Sequence, residues 1–372
     1  MLDIDQLRKE IDAIDKSFVE LFERRMKVVE KIAEYKLENK MDVFDKNREN
    51  LLLEKTEKQL KDRSLAKYLN MFFINLMDVS KAYQKKKLEF KMPINISEEK
   101  KDKKLAYQGI LGSFSYSAMK KYFVNIEESQ AFEQFEEVFD KVESGEFDYG
   151  ILPFENSSTG AIRDNYDLVR DKKVYIVGEV LIPISHNIMA LKGAKLEDLE
   201  ELYSHPQAFE QSTVYLKNKN FKLIPYKNTA LSAEYVSKSK NTKIGAIASE
   251  EAGEIYNLEI LEKSINDSTK NNTRFIIISK DFQVKEKANK ISIVFSTLHK
   301  AGELFNIMSS IATKGINMLN IKSIPILEKP WEYFFYIDIN GNIEDEQIRE
   351  ALKEIEEKSN FFKILGNYEE VI

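Results

Sequence analysis

Arg25 occupies a helical position where the spacing of its neighbours calls for a hydrophobe. The apolar stripe runs Leu7, Ile11, Ile14, Phe18 and Leu21, then Val28 and Ile32, in steps of four and three. Lys36 lies 11 residues beyond Arg25 and, at about 100° per residue, returns to within about 20° of the same face. A second stripe, Leu65, Leu69, Phe72 and Leu76, continues into Ser80 and Gln84. Polar groups at core positions cost stability unless something satisfies them. Together these exceptions point to an anion site inside a helical bundle. Taken singly, each also reads as a long side chain snorkelling from the bundle end. Arg8 precedes Arg25 by 17 residues, about 100° off that face, so it serves the same pocket more easily from an intertwined second chain.

Four further strings gather polar groups at strand or helix ends. They are Gly109-x-x-Gly112-Ser113-Phe114-Ser115, Glu155-Asn156-Ser157-Ser158-Thr159-Gly160, Ser204-His205-Pro206-Gln207 with Gln211 one turn on, and Asn271-Asn272-Thr273-Arg274-Phe275. Exposed amides at helix starts bind carboxylates well. Helix capping explains Ser113 or Thr159 equally well.

Three kinds of element have to position these groups. Residues 1–88 contain neither glycine nor proline and read as helices over about 5–38, 46–60 and 64–87. The first would be on the order of 50 Å long, overhanging a three-helix monomer and leaving apolar surface for a second copy to bury. The lysine-rich stretch 89–103 reads as a solvated linker. From 104 to 280, strand-like runs such as Lys104–Gln108, Tyr149–Pro153, Val174–Ile182, Lys243–Ala248 and Arg274–Ser279 alternate with helical ones. A second alternating half begins near Ile184–Leu191, so two lobes with a ligand cleft between them are expected. Residues 288–372 read strand, helix, strand, strand, helix, strand, a ferredoxin-like α+β arrangement.

At this point a resemblance is visible. Residues 1–88 resemble the all-helical chorismate mutase found fused to prephenate dehydratase, through Leu7-Arg8, Glu23-Arg24-Arg25, Lys36, Asp45-x-x-Arg48-Glu49 and Ser80-x-x-x-Gln84. The resemblance implies an intertwined dimer in which Arg8 of the neighbouring subunit joins Arg25 on the two carboxylates of chorismate. It also implies that Lys36 and Gln84 bond the ether oxygen, that Asp45, Arg48 and Glu49 hold the hydroxyl region, and that Ser80 helps with a carboxylate. A Claisen rearrangement needs no nucleophile, metal or redox cofactor. It needs a held dianion and donors at the ether oxygen, where partial negative charge grows.

Residues 104–280 resemble prephenate dehydratase, through Asp148-Tyr149-Gly150-Ile151-Leu152-Pro153, Glu155–Gly160, Ser185-His186-Asn187, Ser204–Gln207 and the Thr273-Arg274-Phe275 signature. The implied fold is two-lobed and periplasmic-binding-protein-like, with the substrate in the cleft. Loss of carbon dioxide and of the para hydroxyl aromatises the ring, so a donor is needed at the departing oxygen. The resemblance points to Thr273, and Glu155 is the second candidate if burial raises its pKa. Asn156 and Gln211 are expected to position the ring. Ser113, Ser157, Ser158, Thr159, Ser204 and Arg274 are expected in the substrate site, with Arg274 equally able to make a structural ion pair. His186 and His205 read as structural.

The last segment resembles the amino-acid-binding ACT module, through Ala301-Gly302-Glu303-Leu304, Gly315-Ile316-Asn317 and Trp331-x-Tyr333-x-Phe335-Tyr336-x-Asp338. That implies inhibition by phenylalanine at a dimer interface, with Gly302, Glu303, Leu304, Asn317 and Ser323 as the regulatory set. One departure stands out: where the family usually shows Glu-Ser-Arg-Pro, this chain has Lys322-Ser323-Ile324-Pro325.

Composition agrees with these readings. The chain has 372 residues, enough for two or three domains, and 43% hydrophobic residues, too many for disorder. Cysteine is absent, and only His186, His205 and His299 are present, so neither thiolate chemistry nor a multi-histidine metal site is expected. No cofactor is expected. A net charge of −6 argues against a general nucleic-acid binder, and no apolar run approaches the roughly 20 residues of a membrane helix. A cytoplasmic homodimer or homotetramer is expected. Two rival readings remain: an arogenate rather than a prephenate dehydratase, and a non-catalytic amino-acid sensor. The sensor should have lost Lys36, Gln84 or Thr273, and all three are present.

Overall fold

The computed structural model describes residues 3–38, 46–87, 103–297 except 125, 127, 218 and 269, then 301–327 and 331–371. The chain divides into two compact units, Met1–Met92 and Pro93–Ile372.

The first unit holds α1 (Ile4–Glu38), α2 (Lys46–Gln59) and α3 (Ala66–Lys87). The expected third helix starts two residues late, because Asp62 accepts from the Ser64 amide at 2.9 Å and winds Arg63–Leu65 into a 3-10 turn. Helix α1 meets α3 through Phe18 and Phe72, whose ring centroids are 6.0 Å apart. Val29, Met77 and Ser80 are buried there. Most of the α1 stripe is not: Ile14 is 56% exposed and Phe18 52%. Among the described residues this apolar stripe on α1 is left largely exposed.

In the second unit the first lobe holds β1 (Lys104–Gln108), α4 (Phe114–Tyr122), β2 (Glu128–Phe132), α5 (Phe135–Ser144), β3 (Tyr149–Asn156), β4 (Gly160–Ala161), α6 (Arg163–Asp171) and β5 (Tyr175–Pro183). The second lobe holds β6 (Asn187–Ala190), β7 (Glu201–Ser204), α7 (Pro206–Glu210), α8 (Thr213–Leu216), β8 (Lys222–Pro225), α9 (Thr229–Ser239), β9 (Ile244–Ala248), α10 (Glu250–Ile255) and β10 (Glu259–Glu262). The chain then returns to the first lobe as β11 (Asn272–Ser279), antiparallel to both β3 and β5. Helices α4 and α5 pack on this sheet with Ala118 and Met119, and with Val138, Phe139 and Val142. With both faces covered, the strands are apolar runs without alternation; Ile276, Ile277 and Ile278 are all wholly buried. The second lobe is a five-stranded sheet in the order β10-β6-β9-β7-β8.

The C-terminal segment is β12 (Lys290–Ser296), α11 (Glu303–Ala312), β13 (Met318–Pro325), β14 (Tyr333–Asn340), α12 (Glu346–Lys358) and β15 (Phe361–Tyr368). Its sheet order, β13-β14-β12-β15, is antiparallel and ferredoxin-like as expected. It is joined to the first lobe: β15 pairs with β5, and one sheet runs β13-β14-β12-β15-β5-β11-β3-β1-β2. Among the described residues no helix is long and apolar enough to cross a membrane.

Candidate functional site

In the first unit Arg25 turns toward α3. Its guanidinium donates to the Ser80 hydroxyl and, at 3.5 Å, to the Leu76 carbonyl, while Ser80 donates to that carbonyl at 2.6 Å. Burial lowers the Arg25 pKa from its ordinary value. Arg25 and Ser80 are thus brought together, and Lys36 is half-buried on the same helix. Arg8 is exposed and pairs with Asp5 at 3.3 Å. Seventeen residues along one straight helix separate it from Arg25 by about 25 Å, so one chain does not bring the two together. Arg48 is exposed on α2. Asp45 lies outside the described residues, as do the side chains of Glu49 and Gln84.

In the second unit a cleft of about 360 Å³ opens between the lobes. Asn156, at the end of β3, organises its floor. The Asn156 Nδ2 donates to Asn271 Oδ1 and to Thr273 Oγ1, both at 2.8 Å. Its Oδ1 accepts from the amides of Ser158 at 2.9 Å and Thr159 at 3.1 Å, fixing the turn into β4. Because Thr273 Oγ1 accepts from that amide, its own hydrogen is left to donate elsewhere. Thr273 is 6% exposed and lines the cleft.

From Asn271 the network runs on to the second lobe. Asn271 Nδ2 donates to Gln211 Oε1 at 3.0 Å, and the same oxygen lies 2.9 Å from His186 Nε2. His186 therefore carries its hydrogen on Nε2, and its buried Nδ1 has no hydrogen-bond partner among the described groups. Burial lowers its pKa and keeps the ring neutral, with the Gln211 bond opposing. Ser113 caps α4 by accepting from the Tyr116 amide and also faces the cleft, so the capping and the site readings both hold. Gly112 (φ 80°) lies so close to Ala252 of α10 that a Cβ would sit 2.9 Å from its Cα. Here the second lobe touches the loop, and Ser249 donates to the Gly112 carbonyl at 3.0 Å. Gln207 donates to Thr159 across the cleft at 3.0 Å.

Several expected residues stand elsewhere. Ser204 is fully buried and donates to the Ile247 carbonyl at 2.7 Å, bracing β7 against β9. Ser157 is held between the Lys270 carbonyl at 3.0 Å and the Asn272 amide at 2.9 Å, and Ser158 reaches Asn271 at 3.3 Å. Glu155 and Arg274 do not line the cleft. Side chains alternate along a strand, so the neighbours of Asn156 and Thr273 point to the other side of the sheet. There Arg274 lies 3.0 Å from Asp338, 3.2 Å from Glu179 and 3.6 Å from Glu155. Burial works against its charge, and Asp338, Tyr368, Tyr166 and Glu179 together hold its pKa well above the ordinary value. Of the two roles weighed for Arg274, the geometry shows the structural ion pair. Glu155 is committed to Arg274 and to Lys322, 2.8 Å away. Turned to the far side of the sheet, Glu155 is not placed to give a proton in the cleft.

Sequence reasoning passed over Asn271, which links Asn156 to Gln211, and read His186 as structural. Asn271 belongs to the fourth polar string and His186 to Ser185-His186-Asn187, and only the fold shows that the two converge on Gln211. In the C-terminal segment Gly302 (φ 87°) starts α11, Glu303 and Leu304 are half-buried, and Asn317 and Ser323 are exposed. Ile324 is buried in the core shared with the first lobe, where an arginine would be out of place.

A helical unit with an arginine turned into its interior and a two-lobed α/β cleft floored by a threonine–asparagine pair define a multidomain enzyme that handles small anions. The chorismate mutase type II family matches residues 7–85 and the prephenate dehydratase family residues 105–283. A bifunctional chorismate mutase/prephenate dehydratase of Buchnera aphidicola is 33% identical over 98% of this chain and 96% of its own length. A chloroplastic arogenate dehydratase/prephenate dehydratase of Arabidopsis thaliana is 37% identical over 71% of each chain. Two solved structures share the fold at TM-score 0.66. One, a prephenate dehydratase of Arthrobacter aurescens in complex with L-Phe, is 25% identical and aligns over 72% of this chain and 90% of its own. The other, described as a quorum-quenching acylase, is 26% identical over 72% and 98%. The chain belongs to the bifunctional chorismate mutase/prephenate dehydratase family, an enzyme of phenylalanine biosynthesis with both activities.

Proposed function

We propose that the cleft dehydrates prephenate by hydrogen-bond donation from Thr273 to the departing ring hydroxyl. The observation that carries this is the 2.8 Å bond from Asn156 Nδ2 to Thr273 Oγ1, which leaves the threonine hydrogen free for the substrate. As hydroxide leaves, negative charge grows on that oxygen, and a donor already oriented stabilises it without reorganising. Departing carbon dioxide and the new aromatic ring supply the driving force, so a weak acid in the right place suffices. Asn156, Asn271 and Gln211 hold the ring in register, and Ser113, Thr159 and the amides around Gly109–Ser113 face the carboxylates.

In the helical unit, Arg25 steadied by Ser80 takes one carboxylate of chorismate. Arg8 of a second copy takes the other, the exposed α1 stripe being the surface on which the copies pair. Lys36 and Gln84 serve the ether oxygen, and Asp45, Arg48 and Glu49 the hydroxyl region. The C-terminal segment is an ACT module, with phenylalanine as effector through Gly302, Glu303, Leu304, Asn317 and Ser323 at an interface between copies. The relative with bound L-Phe supports that reading. The enzyme works in the cytoplasm as a homodimer or homotetramer.

The test is a time course with purified protein and chorismate, following chorismate, prephenate and phenylpyruvate by chromatography, beside a T273V chain. T273V should accumulate prephenate at the parental mutase rate and lose roughly 10² or more in dehydration. Phenylpyruvate appearing from T273V at the parental rate would remove Thr273 from the mechanism. Arogenate turning over faster than prephenate would make the amino-acid counterpart the preferred substrate.

A further inference from the structure

Strands β3 and β11 each carry two functional neighbours. In their ladder Thr273 stands opposite Asn156, and Arg274 stands opposite Glu155. One pair floors the cleft, and the other meets the C-terminal domain on the far side of the sheet. Three cations and three carboxylates share that side. Arg274 reaches Glu155, Glu179 and Asp338. Lys290 reaches both oxygens of Glu179 at 3.1 Å, and Lys322 reaches Glu155 at 2.8 Å. Glu179 is 1% exposed, and its carboxylate also accepts from the Val371 amide at 3.1 Å, which leaves it little freedom. Asp338 is further held by Ser292, which also meets the Tyr368 hydroxyl at 2.7 Å.

We propose that Lys322 and Asp338 are positioning residues for the dehydratase: acting through Glu155 and Arg274, they hold β3 and β11 where Asn156 meets Thr273. The inference rests on the Thr273–Asn156 reading above. Its physical basis is competition for one guanidinium. Arg274 lies close to Asp338 and farther from Glu155 because Lys322 already neutralises Glu155. Without Lys322 the Glu155 carboxylate has only Arg274 to pair with, and drawing the two together pulls the guanidinium from Asp338. Either shift moves the backbone one residue from a catalytic side chain, and hydrogen-bond geometry in such a site tolerates little displacement. Lys322 belongs to β13, so the C-terminal domain sets the cleft floor through this pair. It is also one of the two positions at which the chain departs from Glu-Ser-Arg-Pro.

The experiment compares K322M, K322R, D338N and T273V in the full-length chain, assaying both activities. Because the Lys322 side chain is 34% exposed, K322M should fold and melt like the parent. We expect its dehydratase kcat to fall roughly three- to tenfold with KM within about twofold, since neither Lys322 nor Glu155 lines the cleft. K322R should restore most of the rate, D338N should fall at least as far as K322M, and the mutase rate should not move in any of them. K322M and D338N both within about twofold of the parent in kcat would overturn the proposal. So would K322R as slow as K322M, or a K322M defect confined to KM. If T273V is slow while K322M matches the parent, the positioning role alone fails. If T273V keeps its rate, the Thr273 reading and this inference fall together.

Discussion

Gly366 of β15 and Ile176 of β5 form the backbone pair through which the C-terminal sheet continues into the first lobe. A Cβ on Gly366 would collide with the Ile176 carbonyl oxygen. The contact is backbone on backbone, so no flexible side chain can yield. We expect G366A to part the strands and destabilise the second unit by about 2 kcal/mol or more. Chorismate mutase activity should outlast dehydratase activity on heating, because Met1–Met92 is a compact unit of its own. Unfolding curves for the two activities that stay superimposed with the parent's would show that the pair separates at no cost.

Asn156→Asp tests the direction of the hydrogen bond at the cleft floor. An aspartate keeps the oxygen that accepts from the Ser158 and Thr159 amides, so the turn into β4 survives. It loses the NH2 that donates to Asn271 and Thr273. A carboxylate there accepts from Thr273 and turns its hydrogen away from the substrate. The expected outcome is a dehydratase kcat lower by roughly 10² with the fold and the mutase rate intact. An N156D chain near the parental rate would mean that the threonine hydrogen is not what the reaction uses.

Much of this was legible before the fold was seen, and the exceptions have physical causes. Helices and strands follow from periodicity, and β1 spans Lys104–Gln108 as read from the sequence. Strand parity separates Thr273 from Arg274, and of the two roles the sequence leaves open for Arg274, a carboxylate contact or a structural ion pair, the fold shows the ion pair. The same parity turns Glu155 away from the side that Asn156 faces. Ser204 is expected at the substrate through the resemblance, whereas its bond to the Ile247 carbonyl spans 43 residues. No local pattern reveals such a contact, nor the pairing of β15 with β5, which joins strands nearly 200 residues apart. Asn271 stands in the fourth polar string without a role of its own, because that role exists only once Asn156 and Gln211 are brought to either side of it.

His186 gives the second unit a pH dependence of definite sign. Burial lowers its folded-state pKa below the ordinary 6.5, with the Gln211 bond opposing. As the pH falls below about 6.5, the unfolded chain takes up a proton that the folded chain does not. The contribution of His186 to stability is therefore complete above that pH and lost as the pH falls through the folded-state value. We expect the parent to lose stability between about pH 7 and pH 5 more steeply than H186Q, which lacks the titrating ring. Denaturant midpoints at the two pH values measure the difference. Equal slopes in parent and variant would place a charged imidazole in the folded cleft.

The exposed α1 stripe makes a prediction that only a shared site satisfies. Arg25 points into its own helical unit, and Arg8, which bonds Asp5, lies about 25 Å away along the same helix. If a mutase site takes Arg25 from one chain and Arg8 from another, R8A and R25A chains are each inactive alone, lower by roughly 10³ or more. Unfolded together and refolded as a mixture, half of the dimers are mixed. Each mixed dimer has one site with both arginines intact and one with neither, so about one quarter of the parental mutase activity should return. Dehydratase activity is the internal standard for refolded protein in all three samples. Activity that stays at the level of the separate variants would mean that both arginines act from the same chain, and the apolar stripe on α1 would then need a different partner.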